Sequence, residues 1–112
     1  MSKEIITLKK EGELWVTELY GKRYGFRKWT WGEKNELSGK CSRTDPQSGF
    51  GTFEIAVFNE GLFLATVRKQ TDGEFVNFTL EELKSMDGLL ADKLLQITQK
   101  LNLVQPFEMQ NL

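Results

Sequence analysis

Leu90, Leu94, Ile97 and Leu101 recur at i, i+4, i+7 and i+11, with Asp92, Lys93, Gln96 and Lys100 off that stripe. This is the pattern of a helix with one apolar side. Just before it, Thr79 and Glu82 have the T-x-x-E spacing of a capping box, in which a hydroxyl and a carboxylate satisfy backbone N–H groups at a helix start. A short helix is therefore expected from Leu80, interrupted at Gly88, with Asp87 able to cap the second one. The leucine stripe needs something to pack on. The best candidate is Phe53 to Val67, too apolar to sit in water and too short and interrupted to span a membrane. Its period is ambiguous. Read as a hairpin, Phe53, Ile55 and Val57 alternate, Asn59-Glu60-Gly61 turns, and Leu62, Leu64 and Thr66 return. Read as a helix, Ile55, Phe58, Leu62 and Ala65 share a stripe, and Gly61 costs about 1 kcal/mol relative to Ala.

The first third of the chain has a shorter period. Ile5 to Leu8, Leu14 to Leu19 and Arg23 to Trp29 are runs rich in β-branched, aromatic and other apolar residues. Lys9 to Glu13 and Tyr20-Gly21-Lys22 separate them as turns, which predicts a three-stranded antiparallel meander with one wet face. Thr30 and Glu33 repeat the capping-box spacing, so a helix is expected from Trp31 towards Leu37, closed by Gly39. Lys40 to Gly51 is loop-like and is expected to be the most mobile region. Thr71-Asp72-Gly73 reads as a further turn. The expected fold is α+β: a meander, then three or four helices, the last two an antiparallel pair. Residues 1–103 form one domain in this reading, and 104–112, with Pro106 and Phe107, form a loosely held tail.

Composition narrows the function classes. At 112 residues one domain is expected. Fifteen basic against sixteen acidic residues give a net charge of -1, so nothing global attracts nucleic acid or an anionic membrane. The single Cys41 excludes an internal disulfide, and the N-terminus lacks a basic-then-apolar signal pattern, so a cytoplasmic protein is expected. There is no histidine, which removes the usual general base and the commonest nitrogen ligand for zinc or iron. Cys41 has only Lys40 and Arg43 beside it, and a bland thiol is the simpler reading. Glu11, Glu13, Glu81, Glu82 and Asp92 sit where caps and solvated charges are usual. Gly49-Phe50-Gly51 lacks the rest of a nucleotide loop. A non-enzyme without metal or cofactor is expected.

Two surfaces are candidates for binding. Lys22, Arg23, Arg27 and Lys28 interleave with Tyr24, Phe26, Trp29 and Trp31, a combination that grips phosphates and stacks bases in single-strand binders. In a strand, however, the aromatic and basic residues point to opposite faces, which makes Tyr24 and Phe26 core and the basic side solvated. Nucleic-acid binding is thus the alternative reading. The paired helices from Leu80 do not make a persuasive helix-turn-helix, since the second offers only Lys93 and Lys100 against Asp92.

From Trp29 to Asn102 the order of features resembles the tail assembly chaperones of long-tailed bacteriophages and their prophage relatives. Thr30-Trp31-Gly32-Glu33-Lys34-Asn35 is similar to that family's turn into its first helix, and Asp45-Pro46-Gln47-Ser48-Gly49 to the loop that follows. Phe53 to Val67 is similar to its next helix, and Phe78 to Leu83 with Leu90 to Asn102 to its closing pair. The resemblance covers about two-thirds of the chain and rests on caps, turns and spaced leucines. It implies the helical reading of Ile55 to Val67. It also implies a small non-enzymatic protein of the host cytoplasm that keeps the tape-measure protein soluble until tail-tube subunits assemble around it. The family offers no fixed polar motif. The expected partner surface is therefore the apolar residues off the core stripes, Phe63, Leu64, Val67 and Leu95, against the competing reading that the meander covers them. Self-association is a further expected partner state.

Overall fold

The computed structural model describes residues 6–103. Its elements run β1 (Lys9–Glu11), β2 (Leu14–Leu19), β3 (Lys22–Phe26), α1 (Trp31–Cys41), β4 (Ser42–Thr44), β5 (Gly51–Phe53), α2 (Ile55–Thr66), β6 (Val67–Thr71), β7 (Glu74–Asn77), α3 (Leu80–Ser85) and α4 (Gly88–Asn102). The fold is α+β. The N-terminal meander β1-β2-β3 is extended by β6 and β7 into a five-stranded antiparallel sheet, and β4 and β5 form a separate two-stranded hairpin.

The capping residues act as their spacing predicts. Thr30 and Thr79 each accept from the N–H of Glu33 and Glu82, which reach back to the cap N–H, and Asp87 accepts from Leu90 N–H at 3.0 Å. Phe53 to Val67 resolves as helix up to Thr66. Gly61 sits where α1 lies against α2: a Cβ built there would stand 2.5 and 2.7 Å from the two methyls of Leu37. Here the close helix approach takes precedence over helix propensity.

Several expectations are corrected. The first strand is Lys9–Glu11 rather than Ile5 to Leu8, because the two-residue Gly12-Glu13 link lets pairing run up to Leu14. Ile6 and Leu8 pack instead against the main core, and Ile5 lies outside the described residues. The third strand ends at Phe26, three residues early. Gly39 does not close α1, which continues to Cys41. Lys40 to Gly51 is not one open loop, since Arg43 pairs with Thr52 within the hairpin. Strands β6 and β7, joined by Asp72-Gly73 with φ of 51° and 84°, were not anticipated beyond their turn. The expected tail, 104–112, lies outside the described residues.

Alternation divides the sheet. Register places Leu19, Tyr24, Phe26 and Val67 on one face, where they join Phe63, Phe78, Leu94 and Ile97 in the main core. The opposite face carries Leu14, Val16, Arg23, Gly25, Arg68 and Phe75, none of which enters either core cluster. A Cβ on Gly25 would lie 3.0 Å from Leu14 and 3.1 Å from Phe75, so those two side chains meet over a bare backbone. A second cluster, Cys41, Phe58 and Leu62, joins α1 to α2, and α3 and α4 both contact α2.

A polar chain crosses the interior between α2 and α4. Thr66 and Thr98 are fully buried, and Thr66 Oγ1 donates to the Leu62 carbonyl at 2.7 Å. Having spent its proton there, Thr66 can only accept in its 2.5 Å contact with Thr98 Oγ1. Thr98 in turn accepts from Asn102 Nδ2 at 3.0 Å, and the same amide donates to the Arg27 carbonyl at 3.0 Å. Asn102 Oδ1 accepts from Trp29 N–H at 3.0 Å. The last residue of α4 is thereby fastened to the segment leading into α1.

Candidate functional site

The four residues expected to form a partner surface separate. Phe63 and Val67 are core residues, 2% and 0% exposed, and Val67 belongs to β6 rather than to the middle helix; both are withdrawn from the surface. The reason is the sheet, whose added strand β6 begins where α2 ends and draws Val67 beneath the helices. Leu64 and Leu95 are half-buried against the main core, Leu95 touching both clusters. What remains of the expected groove is a depression of about 130 Å³ bordered by Phe63, Leu83 and Leu95. That is too small to seat a helix.

The basic strand also divides. Arg23 bonds Glu11 and stacks over Phe75, 5.7 Å from its ring centroid. Arg27 holds Glu33 through two bonds of 3.1 and 2.5 Å, and this pairing lowers the Glu33 carboxyl to about 2, with Thr30 N–H assisting. Lys28 lies over Trp15 at 5.9 Å. Lys22 is exposed and points to the helix side of the sheet, away from the two arginines. Tyr24 and Phe26 are buried in the core. The four cations therefore do not converge with exposed aromatic rings on one face. Arg68, desolvated and near Arg27, has its pKa lowered.

Four exposed apolar residues fall close together in sequence between residues 50 and 57, while Tyr20, Trp31, Leu80 and Leu89 are exposed singly elsewhere. Phe50 is 76% exposed, Phe53 46%, Ile55 59% and Val57 45%. Phe50 follows the tip of the β4–β5 hairpin, where Asp45 caps the turn through Gln47 N–H and Ser48 Oγ. Glu54 links the hairpin to α2 and bonds Arg43 at 2.7 Å, and Phe53 rests on Phe58 with ring centroids 5.4 Å apart. The chain thus presents oily groups on an arm whose root is anchored in the second core cluster.

The arm has open edges. Glu54 N–H bonds the Cys41 carbonyl and Asp45 N–H the Phe50 carbonyl, both at 2.9 Å. Hydrogen-bonded pairs alternate in an antiparallel ladder, so Arg43 and Thr52 form the next such pair, and the backbone groups of Gly51 and Phe53 face outward. Every residue of both strands is exposed. The loop-like composition of this stretch conceals the hairpin; its signal is Phe50 and Phe53 flanking glycine and threonine, aromatic residues that a solvated loop does not need.

Among the described residues no group of three or more His, Cys, Asp or Glu could hold a metal ion, and no helix is long and apolar enough to cross a membrane. Cys41 is buried. What the arrangement offers chemically is apolar contact and unpaired strand edge. No family model, curated protein or solved structure matches the chain.

Proposed function

We propose that this chain is a non-enzymatic assembly chaperone or adaptor that binds another polypeptide, and that its partner is the tape-measure protein of a phage tail during assembly in the host cytoplasm. The observation that carries the binding reading is the exposed apolar arm, Phe50, Phe53, Ile55 and Val57, beside an open strand edge. Four large apolar side chains left exposed within eight residues mark a candidate interaction site, and an unpaired edge accepts an extended segment by main-chain bonding. The tape-measure identity rests on the resemblance from Trp29 to Asn102, including its turn, hairpin loop and helices. A long, partly apolar chain awaiting its final partner needs temporary cover, which an oily arm supplies without any reactive group.

The test is co-expression with tape-measure segments encoded in the same tail-gene cluster. Phe50→Ser and Phe53→Ser variants are expected to keep the parent's far-UV circular dichroism and to lose the segment in a pull-down. Capture undiminished in both variants would refute the arm as the contact. A gene neighbourhood without tube or tape-measure genes would remove the phage assignment.

A further inference from the structure

Between the beginning of β3, the far end of β6 and the α3–α4 link lies a cleft of about 700 Å³, within the range of sites that take small molecules or a few peptide residues. Its apolar lining is Phe78, Met86 and Leu90, and its polar lining includes Lys22, Tyr24 and Lys69. The polar groups are unevenly satisfied. Lys69 bonds Glu82 and lies over Phe78 at 5.6 Å, while the other oxygen of Glu82 accepts from Thr79 N–H. Asp87 spends an oxygen on Leu90 N–H. Each acid of the cleft thus spends one oxygen on a helix-start N–H, and Glu82 spends the other on Lys69.

Two donors of the cleft are not engaged in this way. The ring of Tyr24 is buried, the whole residue being 5% exposed, while its hydroxyl has no hydrogen-bond partner among the described residues and opens into the cleft. Burial raises its pKa, so it stays a neutral O–H donor. Lys22 has no carboxylate within ion-pair distance among the described residues. Register places Lys22 and Tyr24 on the same face of β3, two residues and about 7 Å apart along the strand. The cleft therefore presents an unpartnered hydroxyl and an ammonium beside an apolar wall.

We infer that this cleft binds an acidic peptide segment, a Glu or Asp carboxylate accepting from Tyr24 Oη and Lys22 Nζ while a neighbouring aliphatic side chain packs on Met86 and Leu90. The contact lies on different elements from the hairpin arm and stands separately from it.

The probe is acetyl-Leu-Glu-Leu-Glu-Leu-amide, titrated into the ¹⁵N-labelled full chain, with the Gln analogue of the same peptide as control. Shifts are expected at Lys22, Tyr24, Phe78 and Leu90 for the Glu peptide, with the Gln peptide binding about tenfold more weakly, as charge-assisted bonds require. Tyr24→Phe removes only an unbonded hydroxyl, so it is expected to fold as the parent and to weaken the Glu peptide about tenfold; Lys22→Gln, fully on the surface, does the same. Phe50→Ser leaves this affinity unchanged, which separates failure here from failure of the arm. Equal binding of the two peptides, shifts mapping to another face, full affinity in Tyr24→Phe, or displacement by inorganic phosphate would each overturn the assignment.

Discussion

Asn102 is the residue whose replacement is expected to cost the most for its size. Its side chain makes three hydrogen bonds of 3.0 Å, to Trp29 N–H, the Arg27 carbonyl and Thr98 Oγ1. Each contributes about 1 kcal/mol net, and the partners stranded in a half-buried setting add to that, so Asn102→Ala is expected to lose about 3 kcal/mol. Urea unfolding followed by circular dichroism measures it, and the corresponding fall in Tm is about 10 °C or more. Asn102→Asp sharpens the test. The introduced carboxylate still accepts from Trp29 but faces two oxygens, and Thr98 cannot turn its proton towards it because that proton is held by Thr66. The new carboxyl should therefore have a folded pKa above its unfolded value near 4. A native state that binds more protons gains stability as pH falls, so the deficit of Asn102→Asp should be full at pH 7 and shrink below about pH 5. A loss under about 1 kcal/mol for Asn102→Ala would refute the three bonds, and an Asn102→Asp variant with parental stability at pH 7 would refute the proton order drawn through Thr66 and Thr98.

Other expectations follow from single contacts. Glu33 is lowered to about 2 by Arg27, so its contribution is present above the unfolded pKa of about 4.5 and is lost as pH falls towards 2; Glu33→Gln should flatten the acid limb of the stability curve in that window. Thr79→Ala removes one half of a capping box and should cost about 1 kcal/mol by urea unfolding. Gly61→Ala should fail to realise the roughly 1 kcal/mol of helix propensity in the parent, because Leu37 occupies the space, yet stabilise a Leu37→Ala background. Stabilisation of the parent by Gly61→Ala would show that Leu37 retreats freely.

Local chemistry was legible where a few adjacent residues decide the outcome. Thr30 with Glu33, Thr79 with Glu82, and Asp87 mark helix starts that the fold uses, and Leu94 and Ile97 of the leucine stripe are core. The α+β class followed from the two periods. Strand β6 is not legible because Arg68, Lys69 and Gln70 read as surface; the backbone of Arg68 and Lys69 is recruited by β3, a partner more than forty residues earlier. The signal nearest to it was Asp72-Gly73, whose positive φ at both positions is the turn that closes two-residue hairpins. Missing that strand also misplaced the partner surface, since β6 is what takes Val67 inside. The β4–β5 arm escaped for another reason: three-residue strands are too short for alternation to register.

From Gly51 to Thr71 the chain passes from strand to helix to strand with only Glu54 standing between elements: β5 ends at Phe53, α2 spans Ile55–Thr66, and β6 starts at Val67. Such a stretch behaves as a rigid strut about 18 Å long in its helical part. Anything that tugs on the oily tip has no swivel to absorb the motion, so the load arrives inside the large sheet, at β6 between β3 and the edge strand β7.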